Sequence, residues 1–572
     1  MTVSVVVPFH PSDEWRQRAW DYVAPWWGKH FPDWELIRCT AEPYTKGGAL
    51  HNGVAIAEGS TLILADADSF ILDPDELAEL VGRVDRKKAP VPWVMPHRYV
   101  HRVSRSATEA IYETGMVDIH SVQYPVYGGC IGGGMTILNR KAWKTVRGID
   151  PRFCVDEETM ILTSTGWRDY HTLQVGDLAL TLNHETGMSE WQPVQAVNVF
   201  PAQDGEMLSM ESKNHSSLTT LNHRWPVVRR PNYRPGIDKG IPYSRRDWKT
   251  SGTLTSEDKI QIAAECADLP IEPKYSDAMV ETVAWFWTEG SITRGGLGRS
   301  VSLAQSLRVN SSNCVRIRAA LTKLFGNPVA AFVRGGRAQG SHAPQWREHM
   351  YPSQPGLLHF YLNAEAGDLL QSLAPGRVPA NAFLLSLTRA QLGLFIEVSM
   401  LADRDSPYCL SQKNPAAAEA FQFACILAGH ATSIRIRANS SQDPKRDYQM
   451  TGVTIRKSHQ LGPHKGTHKM VPYSGEVWCP TTANGTWLAR RHGTTWFTGN
   501  SGWGGEDRCF GWALGSLVPG GQRGDARLLH LWHPIQGPRQ AMSRATLALI
   551  NEYRHAKSNP GRMAAYIAAR TA

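Results

Sequence analysis

Nowhere in this chain do two cysteines stand at CxxC spacing, no apolar run is long enough to span a membrane, and the opening Met1-Thr2-Val3-Ser4 carries no basic side chain. The first absence, with nine cysteines scattered singly from Cys39 to Cys509, excludes a zinc site and a disulfide framework. The second and third exclude a membrane span and the usual start of a secretion signal, so the expected compartment is the cytoplasm. Acid is in deficit: the net charge is +9, which suits a polyanionic partner such as nucleic acid or a nucleoside diphosphate. Hydrophobic residues make up 42% and charged residues 20%, the balance of a soluble globular protein, and 572 residues leave room for roughly three or four domains.

The first 153 residues alternate strand and helix. Val3 to Val7, ending at Pro8-Phe9, reads as a buried strand, and Ser12 to about Val23 reads as a helix capped by Ser12. A strand at Trp34 to Cys39, a glycine turn at Lys46-Gly47-Gly48, a small-residue helix from Ala49 to Ala57 and the strand Thr61 to Ala65 follow. That order predicts an open α/β sheet, with Asp66-Ala67-Asp68 at a strand's carboxyl end, where such sheets place ligand-binding groups. An Asp-x-Asp pair suits a hard divalent cation that bridges two phosphates.

These elements, with Gly132-Gly133-Gly134-Met135, Asn139-Arg140 and Trp143, and with Gly502-Trp503-Gly504-Gly505-Glu506-Asp507 far downstream, resemble family-2 and galactosyltransferase-like glycosyltransferases of the A-type nucleotide-diphospho-sugar fold. The resemblance implies inverting transfer of a sugar from a nucleotide-diphosphate donor to a hydroxyl acceptor. It implies that Pro8, Lys46 and Asp66 bind the nucleotide sugar and that Asp66 and Asp68 hold Mn2+ or Mg2+. His530 or His533, in His530-Leu531-Trp532-His533, would add a ligand. Asp507 would be the base and Glu506 would bind the acceptor.

Between Phe153 and Ser501 the pattern breaks. Cys154, then Thr159 to Thr163, Gly166-Trp167 and Val175-Gly176-Asp177 open a run of short strands. Thr220-Leu221-Asn222-His223 and Trp225 follow, and Val477-Trp478-Cys479-Pro480 and Phe497-Thr498-Gly499-Asn500-Ser501 close it. This resembles the all-β Hint fold of inteins, the self-splicing domains. The resemblance implies that Thr220 and His223 assist upstream cleavage, that Asn500 cyclises, and that Ser501 carries the ester. Trp225, Cys479 and Thr498 resemble the Trp-Cys-Thr triplet of class 3 inteins, in which the internal cysteine attacks first, whereas Cys154 keeps the class 1 route open. Gly499 stands where the family commonly has histidine, which leaves activation of Asn500 unassigned, with His492 as a candidate.

Longer helical segments lie between about residues 270 and 440. Val283 to Ser291 and Leu394 to Asp403 resemble two divergent LAGLIDADG helices of homing endonucleases, which implies a DNA partner and Glu289 and Asp403 as Mg2+-binding acids, although Arg404 replaces the family's glycine. The expected organisation is transferase 1–153, Hint 154–260, an α+β endonuclease 270–440, Hint 447–500 and transferase 501–572. Excision of 154–500 would leave about 225 residues. The insert separates Asp66 and Asp68 from Glu506 and Asp507, so the unspliced chain is expected to have a disturbed transferase site. The competing readings are a glycosyltransferase that never splices and keeps a permanent DNA-binding or interaction domain, and a hedgehog-like cleaving domain.

Overall fold

The computed structural model describes the whole chain except residues 1, 12, 41–45, 87–89, 118–121, 124–132, 149–153, 201–204, 221–222, 230–244, 296–297, 333–342, 439–448, 463–467, 500–505, 535–552 and 572. It is a multidomain mixed α/β structure with several sheets, none closed into a barrel among the described residues. No helix among those residues is long and apolar enough to cross a membrane.

The fully buried valines of Val3–Pro8 form a central strand, parallel to Glu35–Cys39 on one side and to Thr61–Ala65 on the other. Met135–Asn139 continues the sheet antiparallel, then comes Trp93–Met95, and the edge strand is Gln522–Arg523 from the far end of the chain. A second small sheet places Leu528–His530 between Ser69–Ile71 and Val100–Val103. The two ends of the chain also share a core: Val6, Leu62, Leu138 and Trp143 pack with Phe510, Leu514 and Met563.

Two local expectations are corrected. Asp13 caps the first helix by accepting from the Arg16 N–H at 2.9 Å, and the helix runs Glu14–His30, past Val23 and through Pro25, because Trp26 and Trp27 continue its buried stripe. Ser12 lies outside the described residues. Lys46-Gly47-Gly48 is the first turn of helix Lys46–Ile56 rather than a loop. The glycine that this helix requires is Gly53, where a Cβ would collide with Val6 and Cys39 of the sheet below.

Residues 154–499, the segment expected from the sequence to be an insert, begin as antiparallel strands. One six-stranded sheet sets Val155–Asp156 between Val477–Thr481 and His215–Thr219. A larger sheet carries the hairpin Thr486–Arg491 and Thr494–Gly499. The middle of the insert repeats one order twice. Helix Asp277–Glu289, strands Gly290–Gly295 and Gly298–Ser306, helix Ser311–Phe325 and strands Trp346–Met350 and Leu357–Leu362 make the first half. Helix Arg389–Asp403, strands Arg404–Ser406 and Cys409–Gln412, helix Pro415–Leu427 and strands Ala431–Ala438 and Gln449–Arg456 make the second. Its core runs into the β-sheets, since Leu162, Leu182 and Phe497 pack in one cluster with Trp287, Phe395 and Phe421.

Candidate functional site

Three clusters of chemically active side chains stand apart from one another. The first lies at the carboxyl end of Thr61–Ala65. The Ser69 N–H donates to the Asp66 carbonyl at 3.2 Å, closing a turn that points Asp66 and Asp68 into different surroundings. Asp66 accepts from the Gly134 N–H at 3.2 Å and from the Lys46 ammonium at 2.6 Å. Lys46 also reaches Asp507 at 2.8 Å. Burial would lower the ammonium's pKa, but Asp507 and Asp66 outweigh it and hold Lys46 well above the usual lysine range. Burial pushes the Asp507 carboxyl up, opposed by Lys46 and reinforced by Asp66. Pro8, Lys46, Asp66, Gly134, Asp507 and Phe510 line a cleft. Gly134 has φ 85°, and a Cβ there would collide with Leu528, so this wall of the cleft requires glycine.

Asp68 meets a different pair. His530 stands opposite Ser69 in the strand register, which brings its Nε2 to 3.6 Å from one Asp68 oxygen, while His533 Nε2 lies 3.4 Å from the other. The Leu531 N–H donates to the Asp68 carbonyl at 2.9 Å and fixes the turn between them. One ligand atom from each of the three residues lies within 4.8 Å of the others. Burial would raise the Asp68 carboxyl, yet the two imidazoles hold it below its ordinary value. Two imidazole nitrogens and a carboxylate fit a first-row divalent ion such as manganese better than the all-oxygen preference of magnesium. Both histidines therefore share this cluster, and Asp66 stands outside it, engaged by Lys46 and the Gly134 N–H. Glu506 opens the helix Glu506–Leu517. The glycine loop 502–505 lies outside the described residues.

The second cluster is buried among the strands of the insert. The Cys154 N–H donates to Thr220 Oγ1 at 3.1 Å, and the Thr220 N–H returns to the Cys154 carbonyl at 3.1 Å. The His223 N–H donates to the Thr220 carbonyl at 3.0 Å, and its Nε2 makes a short hydrogen bond with Thr498 Oγ1. Trp225 stands edge-on to His223 at 5.4 Å and donates from Nε1 to Ser251 Oγ at 2.8 Å. Cys479 is held by Asn198, whose Nδ2 donates to its carbonyl at 3.1 Å and approaches its Sγ at 3.9 Å. Trp478 pairs with Val155, and Cys154 and Cys479 fall in one small apolar group with Met207, Leu218 and Val477. Cys154, His223, Trp225, Cys479 and Thr498 are all fully buried. Asn500 and Ser501 lie outside the described residues.

His492 is placed away from this cluster. It occupies the turn of the hairpin, bonded to Glu158 at 3.0 Å, so it stands at the opposite end of the six-residue strand from Gly499, about 20 Å off at the usual rise per residue. Gly499 itself has no room for a side chain: a Cβ would lie 2.7 Å from the Arg224 carbonyl oxygen and 2.9 Å from the Trp248 ring. The Arg224 guanidinium stacks over Trp248 at 5.0 Å, and burial pushes its pKa down to about 9. Gly499→His is therefore expected to destabilise the strand end by about 1–3 kcal/mol, read as a lower Tm.

The third cluster joins the two halves of the middle segment. Helices Asp277–Glu289 and Arg389–Asp403 pack along Trp287, which donates from Nε1 to Ser399 Oγ at 2.9 Å and stacks on Phe395 at 6.2 Å. Their last residues, Glu289 and Asp403, each accept from a strand glutamine, Gln305 at 3.0 Å and Gln412 by a short bond. Burial raises both carboxyls, and Asp403 adds its charge to the effect on Glu289. Arg377, at φ 69°, donates to the Trp287 carbonyl at 3.0 Å and to that of Thr288, and feels both carboxylates. After the second helix Arg404 has φ −77°, so its backbone does not call for glycine, whereas a Cβ at Gly290 would collide with the Phe286 carbonyl. Asn198, Ser251, Gln305, Arg377 and Gln412 have no motif around them; only strand and helix packing reveals them.

No protein-family model matches the chain, and no curated protein matches it in sequence. Among solved structures, it is similar to a mesophilic variant of the homing endonuclease I-DmoI at 9% identity and TM-score 0.21, over 32% of this chain and 89% of that one. It is similar to a bacterial intein-like domain from Clostridium thermocellum at 23% identity and TM-score 0.15, over 19% and 65% of the two chains. It is similar to a Drosophila β-1,4-galactosyltransferase 7 mutant in complex with manganese, UDP-Gal and xylobiose at 11% identity and TM-score 0.17, over 27% and 54%. These likenesses are weak and partial, and at such scores they decide nothing about activity.

Proposed function

We propose that the chain is a precursor: residues 154–500 excise themselves by protein splicing, and the joined flanks form an inverting glycosyltransferase. The observation that carries the reading is the meeting of Cys154, Thr220, His223, Cys479 and Thr498, drawn from both ends of the insert, in one buried cluster. A thiol there, from Cys479 or Cys154, attacks the Phe153 carbonyl carbon, and the Phe153–Cys154 amide breaks with a proton from His223 passing to the leaving nitrogen. The acyl group moves from sulfur to the Ser501 oxygen. The Asn500 side-chain nitrogen then attacks its own carbonyl, closing a succinimide and freeing the Ser501 amine, which takes the acyl group from its own oxygen. Mass spectrometry of the expressed chain tests this: products near 225 and 347 residues are expected, whereas a persistent chain of 572 residues would support a non-splicing transferase with a permanent inserted domain.

In the transferase, Asp507 accepts the proton of the attacking acceptor hydroxyl, Lys46 transfers its charge from the carboxylates to the donor's phosphates, and Asp66 contacts the nucleotide. Asp68, His530 and His533 would hold a divalent ion, which supplies charge neutralisation for the departing diphosphate. In the insert, Glu289 and Asp403, the last residues of the two packed helices, would bind Mg2+ for DNA cleavage. If that cleavage occurs, Glu289→Gln and Asp403→Asn each lower it about 10²-fold or more while DNA binding measured in calcium stays within a few-fold; equal loss of binding and cleavage would remove the acids from the chemistry.

A further inference from the structure

We propose that the unspliced chain already binds a divalent cation and a nucleoside diphosphate, so that the donor half of the transferase is a working binding site before excision. This rests on the transferase reading above and reverses the expectation that the insert disturbs the site. Each polar group in question draws residues from both sides of the insert. Lys46 and Asp66 precede it and Asp507 follows it; Asp68 precedes it and His530 and His533 follow it. Their positions are fixed by main-chain pairing in the intact chain. Besides the strand pairings, the Leu72 N–H donates to the Arg527 carbonyl at 2.9 Å, Gly524 and Ala526 N–H groups donate to Met95 and Pro96 carbonyls at 2.8 and 2.9 Å, and Trp93 Nε1 donates to the Val518 carbonyl at 2.8 Å.

The insert permits this because its own ends are neighbours. Cys154 is bonded to Thr220, Thr220 to His223, and His223 to Thr498, so the first described residue of the insert and the last but one are tied through three links. The surrounding fold therefore meets a short loop with a folded body on it, not 347 free residues whose closure would have to be met in full. A cation at Asp68, His530 and His533 would balance the carboxylate, and the phosphates of a nucleoside diphosphate would find positive charge in that cation and in the Lys46 ammonium that lines the cleft. The acceptor loop 502–505 lies next to the junction, which limits the proposal to donor and metal.

The full-length chain is trapped with Cys154→Ala, Cys479→Ala and Asn500→Ala together, and independently with His223→Ala in case the first set misfolds. Manganese with uridine, guanosine or thymidine diphosphate is then titrated into each trap and into the spliced product by calorimetry. The expected result is binding of the same diphosphate by traps and product within about threefold, abolished in both by Asp68→Asn. Binding by the product with silence in folded traps overturns the inference. Silence of the product toward every diphosphate overturns the transferase reading, and the inference falls with it.

Discussion

Chains carrying His223→Ala are expected to accumulate at the full 572 residues, with upstream cleavage slowed about 10²–10⁴-fold. The departing group is an amide nitrogen, which leaves only when protonated, and the His223 main-chain N–H bonds the carbonyl of Thr220, which in turn pairs with the Cys154 backbone. The His223 ring bonds the Thr498 hydroxyl, two positions before Asn500 in the chain, so His223 is linked through its main chain to one end of the insert and through its ring to the other. Removing a buried imidazole also leaves a cavity and an unpaired Thr498 hydroxyl, a cost of about 1–3 kcal/mol that lowers Tm without touching chemistry. The two effects separate with a thiol reagent. Where a thioester forms, dithiothreitol releases residues 1–153; in folded His223→Ala it is expected not to. Release at the wild-type rate would remove His223 from the upstream step. The same assay on Cys479→Ala and Cys154→Ala decides which thiol acts first, because both lie in one apolar group and geometry alone favours neither.

Motifs that depend on a few adjacent residues were legible: Asp66 to Asp68, Thr220 to His223, and the helices ending in Glu289 and Asp403 could be read from the chain because their spacing is local. Three features were not, and each depends on contacts between distant residues. The Ser69 to Asp66 hydrogen bond turns the Asp-x-Asp pair into two separate sites, which spacing cannot show. The pairing of Leu528–His530 with Ser69–Ile71 brings both histidines to Asp68, where the resemblance implied a ligand from one of them, and that pairing cannot be read from the segment His530 to His533 alone. The flanks assemble around the insert and bring Asp507 to Lys46, because sheet edges and a shared core hold residues more than 400 positions apart. The longer first helix is a smaller case: it continues past Val23 and through Pro25, because burial of Trp26 and Trp27 outweighs the one backbone hydrogen bond that the proline forfeits.

Loss of the metal cluster is expected to cost the spliced transferase most of its activity. His530→Ala, His533→Ala and Asp68→Asn each remove one of three donors, and chelation by EDTA removes the ion from all. Charge neutralisation at a leaving diphosphate is worth several kcal/mol, so sugar transfer is expected to fall by about 10²–10⁴-fold in each case. Asp66→Asn is the informative contrast. Asp66 is bonded to Lys46 and the Gly134 N–H rather than to the histidines, so this variant is expected to keep its manganese affinity while losing donor affinity, and to free Lys46 toward Asp507 alone. Electron paramagnetic resonance of bound manganese reads the first property and donor titration the second. A spectrum showing two coordinated imidazoles in the native protein and in Asp66→Asn, one in either histidine variant, is the expected series. Loss of manganese from Asp66→Asn would instead place Asp66 among the ligands and make the turn between the two aspartates a single site.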